Sequence, residues 1–129
     1  MVKILDFDPI FVKQILEKKK TTTIRKGIKD FKEGDRVYIM SQGKIFAEAE
    51  ITKVEVKQLF KLTDEDAKRD GFLNVEELIN GLKKYYESVK PDDVFTIIHF
   101  NIIATFLSPE EVLQTNDEEK EKRNTSNSE

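Results

Sequence analysis

The sequence predicts an α+β domain built on a curved, mostly antiparallel β-sheet. Two helical patterns, near residues 9–18 and 74–86, are interspersed with strand patterns that turn residues separate. A nearly continuous apolar run at residues 94–103 is typical of a central strand that is covered on both faces. The 129 residues, 38% of them hydrophobic, allow one domain with a small core.

Composition excludes several kinds of chemistry. The chain has no cysteine and one histidine, so disulfides, thiolate nucleophiles and a histidine-rich zinc site are excluded. No apolar run reaches the roughly 18 residues that cross a bilayer, and Asp6 introduces a charge too early for a secretory signal. We therefore expect a cytoplasmic protein with no membrane segment, no metal and no cofactor.

The first elements are a helix and a β-branched strand. Asp8 is placed to cap a helix with Pro9 in its first position, where the missing N–H of proline costs nothing. The spacing of the apolar residues continues this helix to about Lys18. Residues 21–24 are β-branched throughout and predict a strand, which Gly27 ends.

A hairpin and a long strand follow. A turn at residues 34–35 leads into a strand at 36–40, and a second turn at 42–43 leads into a strand at 44–56. Along this strand the apolar positions change from odd-numbered to even-numbered residues. We expect a β-bulge near residues 52–53 at this change of phase, and such a bulge helps a sheet to curve.

Two helices with clear start signals precede the last strand. Thr63 with Asp66 resembles a capping box that begins a short helix, and Gly71 ends it. Asn74 with Glu77 begins a second helix, whose apolar stripe fits a 3.6-residue period.

The C-terminal segment divides into a helix and a tail. Ser108 begins a short helix predicted for residues 108–115. Residues 116–129 contain no apolar side chain, so they cannot bury enough surface to offset the entropy of ordering. We expect this acidic tail to be disordered.

Positive charge is concentrated in one segment, although the formal net charge is −3. Residues 18–36 hold eight basic and three acidic side chains. Local potential rather than net charge steers a phosphate-bearing partner, so this segment is a candidate for binding phosphate. The alternative is a solvated, lysine-rich stretch without a ligand.

One stretch of this segment, Lys-Thr-Thr-Thr-Ile-Arg, carries the most chemical information. Because side chains alternate along a strand, Thr21, Thr23 and Arg25 share one face, opposite Thr22 and Ile24. Two hydroxyls and a planar guanidinium suit the recognition of phosphate, carboxylate or a base edge. The alternative is a strand chosen for β-propensity, with solvated threonines.

His99 and a group of acidic residues are given structural roles. His99 lies inside the apolar strand without a nucleophile motif, so we predict a hydrogen-bonded structural histidine rather than an acid–base group. The acidic residues at positions 64, 65, 66 and 70 lack the spacing of a calcium loop and suit helix N-termini instead.

Several short motifs occur in a fixed order along the chain. They are Lys20-Thr21-x-Thr23-Ile24-Arg25, Gly34-Asp35, Ala49-x-Ile51, Leu62-Thr63-x-x-x-Ala67, Gly71-Phe72, Tyr85 and Val94-x-x-Ile97 with Phe100. In this order and at these spacings the chain resembles an ASCH domain, a member of the PUA-like superfamily. The resemblance implies an ASCH domain over residues 1–107, with a small curved or closed β-barrel, about three helices packed outside, and a cleft lined by residues 20–25.

The resemblance also implies recognition of RNA or a modified nucleoside. The ligand would then lie in a basic cleft between the barrel and the helices. The expected ligand-binding residues are Lys20, Thr21, Thr23, Arg25, Lys26, Arg36 and Tyr38. Phe31 or Tyr38 would offer a face on which a base stacks.

Two further functions stay open. Some small bacterial proteins that the chain resembles are amidohydrolases, which remove the acyl group from cytidine derivatives such as acetylcytidine. Their lysine, threonine and glutamate fall on Lys20, Thr23 and Asp70, so this chain has the shorter aspartate at the third position. A carboxylate about 1 Å out of place can cost about a hundredfold in rate. The third function is an adaptor domain that binds another protein.

Overall fold

The computed structural model describes residues 2–113, which form one mixed sheet with helices packed outside it. The strands are β1 (Lys3–Asp6), β2 (Thr22–Lys26), β3 (Arg36–Ser41), β4 (Lys44–Gln58) and β5 (Val94–Thr105). Their order in the sheet is β1-β3-β4-β5-β2, and the sheet curls into a half-barrel. The predicted α+β fold, with a curved sheet and helices packed outside it, is therefore confirmed.

The helices are short. They are α1 (Val12–Leu16), α2 (Asp64–Arg69) and α3 (Val75–Tyr85), with 3-10 turns at Pro9–Phe11 and Leu59–Lys61. Residues 109–113 are also helical, in agreement with the start of the predicted C-terminal helix. The rest of that helix and the predicted tail at 116–129 lie outside the described residues. None of the helices within residues 2–113 has the length and apolar character needed to cross a bilayer.

The hairpin and the bulge form where the sequence predicts them. β3 and β4 pair antiparallel through a two-residue turn in which Gln42 and Gly43 both have positive φ, at 53° and 77°. Positive φ at both positions matches the right-handed twist of the flanking strands. The pairing of β4 with β5 shifts register between Ile51 and Lys53, which confirms the predicted bulge.

The caps predicted for α2 and α3 are both present. The Thr63 hydroxyl accepts a hydrogen bond from the Asp66 N–H at 3.1 Å, and the Asp66 carboxylate accepts one from the Thr63 N–H at 3.0 Å. This reciprocal pair is a capping box at the start of α2. The Asn74 side chain accepts a hydrogen bond from the Glu77 N–H at 2.9 Å and caps α3.

The first helix is shorter than predicted. The Asp8 carboxylate accepts a hydrogen bond from the Ile10 N–H, but it caps a 3-10 turn, and α1 ends at Leu16 rather than at about Lys18. The prediction of its end was wrong because Lys18 adopts a positive φ of 61°, which reverses the chain toward β2. The N–H groups of the next two residues both donate to the Gln14 carbonyl.

Among the five strands within residues 2–113, β1 alone is not predicted from the sequence patterns. It pairs parallel with β3, and it has only Leu5 fully buried among its four residues. One buried side chain gives no periodic signal. Its position nevertheless shapes the candidate site, because the chain leaving β1 lines the mouth of a cavity.

Two apolar clusters hold the fold together. The first fills the inside of the curled sheet under α1, and its largest buried members include Leu5, Ile15, Ile39, Phe46 and Ile98. The second packs α2 and α3 against β2 and β5, with Ile24, Ala67, Leu78, Phe95 and Ile97. The cavity lies on the seam between these clusters, since residues packed in each of them line it.

Candidate functional site

A cavity of about 330 Å³ opens between β2, α3, the chain after β1 and the end of α2. This volume lies at the lower end of the roughly 300–1,000 Å³ that ligand pockets occupy. Its polar lining consists of Asp6, Asp8, Lys20, Thr23, Arg25 and Asp70. We call it the central cavity.

Aromatic side chains form most of the remaining wall. They are Phe7, Phe11, Phe72, Tyr85 and Tyr86. Phe11 lies edge-on to Phe72, with ring centroids 6.4 Å apart, and it contacts Tyr85 at the same separation. Gly81 of α3 lines the cavity without a side chain, so the Phe72 ring can lie directly against the helix.

Lys20 is held in the wall of the cavity by the end of α2. Its ammonium donates to the Asp70 carbonyl at 2.8 Å and lies 3.1 Å from the Asp70 carboxylate, and both residues are only 3% exposed. The ammonium also lies 4.7 Å from the ring centroid of Phe11 and 5.9 Å from that of Phe72. Lys20 thus satisfies a carbonyl that the end of the helix leaves unpaired.

A glycine turn places Asp70 and Phe72 in the cavity. Gly71 has φ of 94°, and the N–H groups of Gly71 and Phe72 donate to the Lys68 and Ala67 carbonyls. These two bonds define a Schellman motif, which requires a left-handed residue at that position. A side chain there would also meet Gln14, because an added Cβ would lie 2.7 Å from its amide oxygen.

Asp70 has a second partner on β2. The buried Thr22 hydroxyl donates to the Asp70 carboxylate at 2.9 Å, on the same oxygen that faces Lys20. The predicted alternation along β2 placed Thr22 toward the core. It is indeed buried, but its hydroxyl serves the carboxylate and so belongs to the site.

Burial controls the ionisation of the Lys20–Asp70 pair. Loss of water lowers the pKa of Lys20, and this effect outweighs the charge and hydrogen bond of Asp70, which raise it. The same loss of water raises the pKa of Asp70 against the opposing effects of Lys20, Thr22 and Arg25. Both shifts act in the direction of the neutral forms, because burial penalises each charge.

Thr23 and Arg25 form the opposite polar wall. The Arg25 Nε donates to the Thr23 hydroxyl oxygen at 3.1 Å, and its Nη2 donates to the Asp6 carbonyl at 2.7 Å. The guanidinium lies 5.2 Å from the ring centroid of Phe7. This leaves the second terminal nitrogen of Arg25 without a protein partner within the described part of the chain, and the Thr23 hydroxyl can still donate.

The fold brings together four of the residues singled out from the sequence: Lys20, Thr23, Arg25 and Asp70. Thr21 is not among them, because its hydroxyl points to the Arg69 carbonyl at 3.5 Å. The predicted grouping of Thr21 with Thr23 assumed a strand from residue 21, whereas β2 begins at Thr22.

The other three predicted ligand-binding residues lie elsewhere. Lys26 donates to the Ser88 carbonyl at 2.6 Å and approaches Asp93 at 3.4 Å. Arg36 pairs with Glu48 on β4 at 3.2 Å. Tyr38 packs edge-on against Phe106, with ring centroids 6.4 Å apart. None of the three lines the central cavity.

His99 is hydrogen-bonded, as its sequence context predicts. Its Nε2 is 2.7 Å from the Glu55 carboxylate on β4, and it does not line the cavity. Within residues 2–113, no group of three or more histidine, cysteine, aspartate or glutamate side chains is arranged to hold a metal ion.

Comparison with known proteins places the chain in a family. A family model described as the ASCH domain matches residues 6–104. The search of curated proteins finds no match.

Solved structures share the fold at low identity. An ASCH domain from Lactobacillus crispatus JV V101 superposes with a TM-score of 0.66 at 15% identity, over 74% of this chain and 71% of that one. Protein EF3133 from Enterococcus faecalis V583 gives 0.64 at 17% identity, over 84% of each chain. An ASCH protein from Zymomonas mobilis gives 0.57 at 15% identity, over 76% of this chain and 65% of that one. The chain therefore belongs to the ASCH domain family.

Proposed function

We propose that the central cavity binds a single nucleoside, either free or as one unstacked residue of an RNA. The observation that carries this proposal is the pairing of aromatic walls with the Thr23–Arg25 edge. Proteins recognise an unstacked base by stacking it on aromatic rings and by hydrogen-bonding its polar edge. The recognition of RNA or nucleosides implied by the family resemblance supports the same ligand class.

The distribution of charge favours one nucleoside over a length of RNA backbone. Of the eight basic side chains in residues 18–36, only Lys20 and Arg25 line the cavity. Lys26 and Arg36 are paired with protein groups away from it. Binding through phosphates would need several converging cations, whereas a stacked base needs rings and one polar edge.

Binding tests this proposal through a matched pair of arginine variants. We expect cytidine to bind the wild type in calorimetry, and Arg25→Ala to weaken its affinity about tenfold because a hydrogen-bonding edge is lost. Arg36→Ala removes the same side chain outside the cavity and should change the affinity less than about twofold. Equal losses in the two variants, or no binding of nucleosides by the wild type, would contradict the proposal.

A second candidate function, removal of an acyl group from an acylated cytidine, is favoured by the buried Lys20–Asp70 pair. A neutral Lys20 amine can accept the Thr23 proton as the hydroxyl oxygen attacks the acyl carbon. The bond from that carbon to the exocyclic nitrogen then breaks, and Lys20 returns the proton to the leaving amine. Water hydrolyses the Thr23 ester, which releases the carboxylate and restores the hydroxyl.

Release of acetate from acetylcytidine tests this second function. We expect Thr23→Val to abolish it and Thr21→Val, which removes a hydroxyl two positions earlier and outside the cavity, to preserve it. The rate should rise with pH through the lowered pKa of Lys20, since the neutral amine is the base, and level off below the ordinary lysine value of 10.5. Asp70→Glu should raise the rate. Wild-type protein at micromolar concentration that releases no acetate would exclude this function.

A further inference from the structure

The mouth of the central cavity carries carboxylates rather than cations. Asp6 is exposed, and its side chain accepts no hydrogen bond from any residue within the described part of the chain. Asp8 is half-buried, with one oxygen bound to the Ile10 N–H at 3.0 Å and the other to the Tyr85 hydroxyl at 3.1 Å. Both residues line the cavity.

The two cations of the cavity do not neutralise the negative charge that a ligand meets at the mouth. Lys20 donates to two oxygens of Asp70, its own buried counter-charge. Arg25 is the remaining cation, and two of its nitrogens already donate to Thr23 and to the Asp6 carbonyl. Three carboxylates therefore face two cations, and an incoming anion meets a net negative lining.

The polar residues of the cavity lie at different depths. Lys20, Thr23 and Asp70 are each at most 6% exposed and lie at its inner end, whereas Asp6 lies at the solvent. A base that stacks among the rings would therefore leave its sugar beside Asp6 and Asp8. Carboxylates are natural acceptors for ribose hydroxyls, as in dinucleotide-binding folds.

We propose, on the basis of the nucleoside-binding function above, that Asp6 and Asp8 form a rim that accepts hydrogen bonds from ribose hydroxyls and repels phosphate. The ligand is then an unphosphorylated ribonucleoside rather than a nucleotide or a residue within an RNA chain. Asp6 is the specificity-determining residue, because its carboxylate is free to bind a hydroxyl.

Three probes test the rim: cytidine, cytidine 5′-monophosphate and 2′-deoxycytidine. We expect the wild type to bind the monophosphate at least about tenfold more weakly than cytidine at low salt. This difference in affinity, called the gap below, should become smaller as salt screens the repulsion. The deoxynucleoside should bind about threefold to tenfold more weakly, because one hydroxyl is lost.

Asp6→Asn assigns the effect to one side chain. This substitution removes the charge of an exposed residue, so the fold should persist. It should reduce the ratio of the affinity for cytidine to the affinity for its monophosphate several-fold. Asp92→Asn makes the same change at an exposed position outside the cavity and should leave the gap unchanged.

The possible outcomes test the acidic rim and the proposed nucleoside binding separately. Equal affinity for cytidine and its monophosphate, or an unchanged gap in Asp6→Asn, would overturn the rim and leave nucleoside binding intact. Equal affinity for cytidine and deoxycytidine would overturn the ribose contact. Absence of binding by all three probes would overturn the proposed function and the rim together.

Discussion

Lys20→Met should lower the free energy of unfolding by about 3–5 kcal/mol, because it leaves the Asp70 carboxylate buried without its counter-charge. The same change removes the donor that satisfies the Asp70 carbonyl at the end of α2. Urea denaturation at neutral pH measures the loss. A change of less than about 1 kcal/mol would mean that Lys20 does not stabilise a buried, charged Asp70 carboxylate.

An apolar replacement of the whole cluster separates stability from function. The triple variant Lys20→Met, Thr22→Val, Asp70→Leu removes both charges and the hydroxyl that serves them. Replacement of a buried ion pair by apolar groups of similar volume is often neutral or stabilising. We expect the triple variant to regain most of the stability lost in Lys20→Met, while nucleoside affinity or hydrolysis stays low. Full function in this variant would show that the pair serves only the fold.

Gly81→Ala should narrow the central cavity and destabilise the protein by about 1–3 kcal/mol. An added Cβ would lie 2.9 Å from two atoms of the Phe72 ring, so the ring must move toward Phe11 and Lys20. The higher helix propensity of alanine offsets up to about 1 kcal/mol of this cost. Because Phe72 forms a wall of the cavity, we expect cytidine affinity to fall about tenfold.

A second substitution separates the clash from other effects on α3. Phe72→Leu shortens the side chain that the new methyl group meets, so Gly81→Ala should cost less stability in the Phe72→Leu background than in the wild type. Asn80→Ala, at the preceding exposed position of the helix, controls for propensity alone. An equal cost of Gly81→Ala in both backgrounds would show that the Phe72 contact does not govern the effect.

Local signals explain why much of the fold can be predicted from the sequence. The Thr63–Asp66 capping box, the Asn74 cap and the two-residue turn after β3 each depend on residues no more than three positions apart. The bulge near Thr52 is likewise visible because the apolar positions change phase along one strand. Such features need no knowledge of tertiary contacts.

Features that depend on distant pairing are less accessible. β1 has a single buried side chain and pairs parallel with a strand some thirty positions away, so no local period marks it. Thr22 meets Asp70 across 48 residues, and nothing in the strand distinguishes that hydroxyl from its neighbours. The resemblance to the family supplied Lys20, Thr23 and Asp70 together, whereas spacing alone does not.

Charge along the chain is a poor guide to charge in the cavity. The basic segment, together with the resemblance to the family, predicted a basic cleft, yet Lys26 and Arg36 pair with groups outside the cavity. Asp6, which the sequence marks only as an early acidic residue, and Asp8, which it predicts as a helix cap, line the mouth of the cavity instead. The aromatic walls also went unrecognised, because Phe11 and Tyr85 fit the apolar stripes of helices.

A titration of the backbone amide NMR spectrum with cytidine tests whether a nucleoside binds in the central cavity. We expect saturable shifts at residues around the cavity, including Thr23, Arg25, Phe72 and Gly81. Arg36 and Tyr38, on the part of the sheet that the cavity does not reach, should stay unchanged. Shifts centred on Arg36 and Tyr38, with the cavity residues unmoved, would contradict binding in the central cavity.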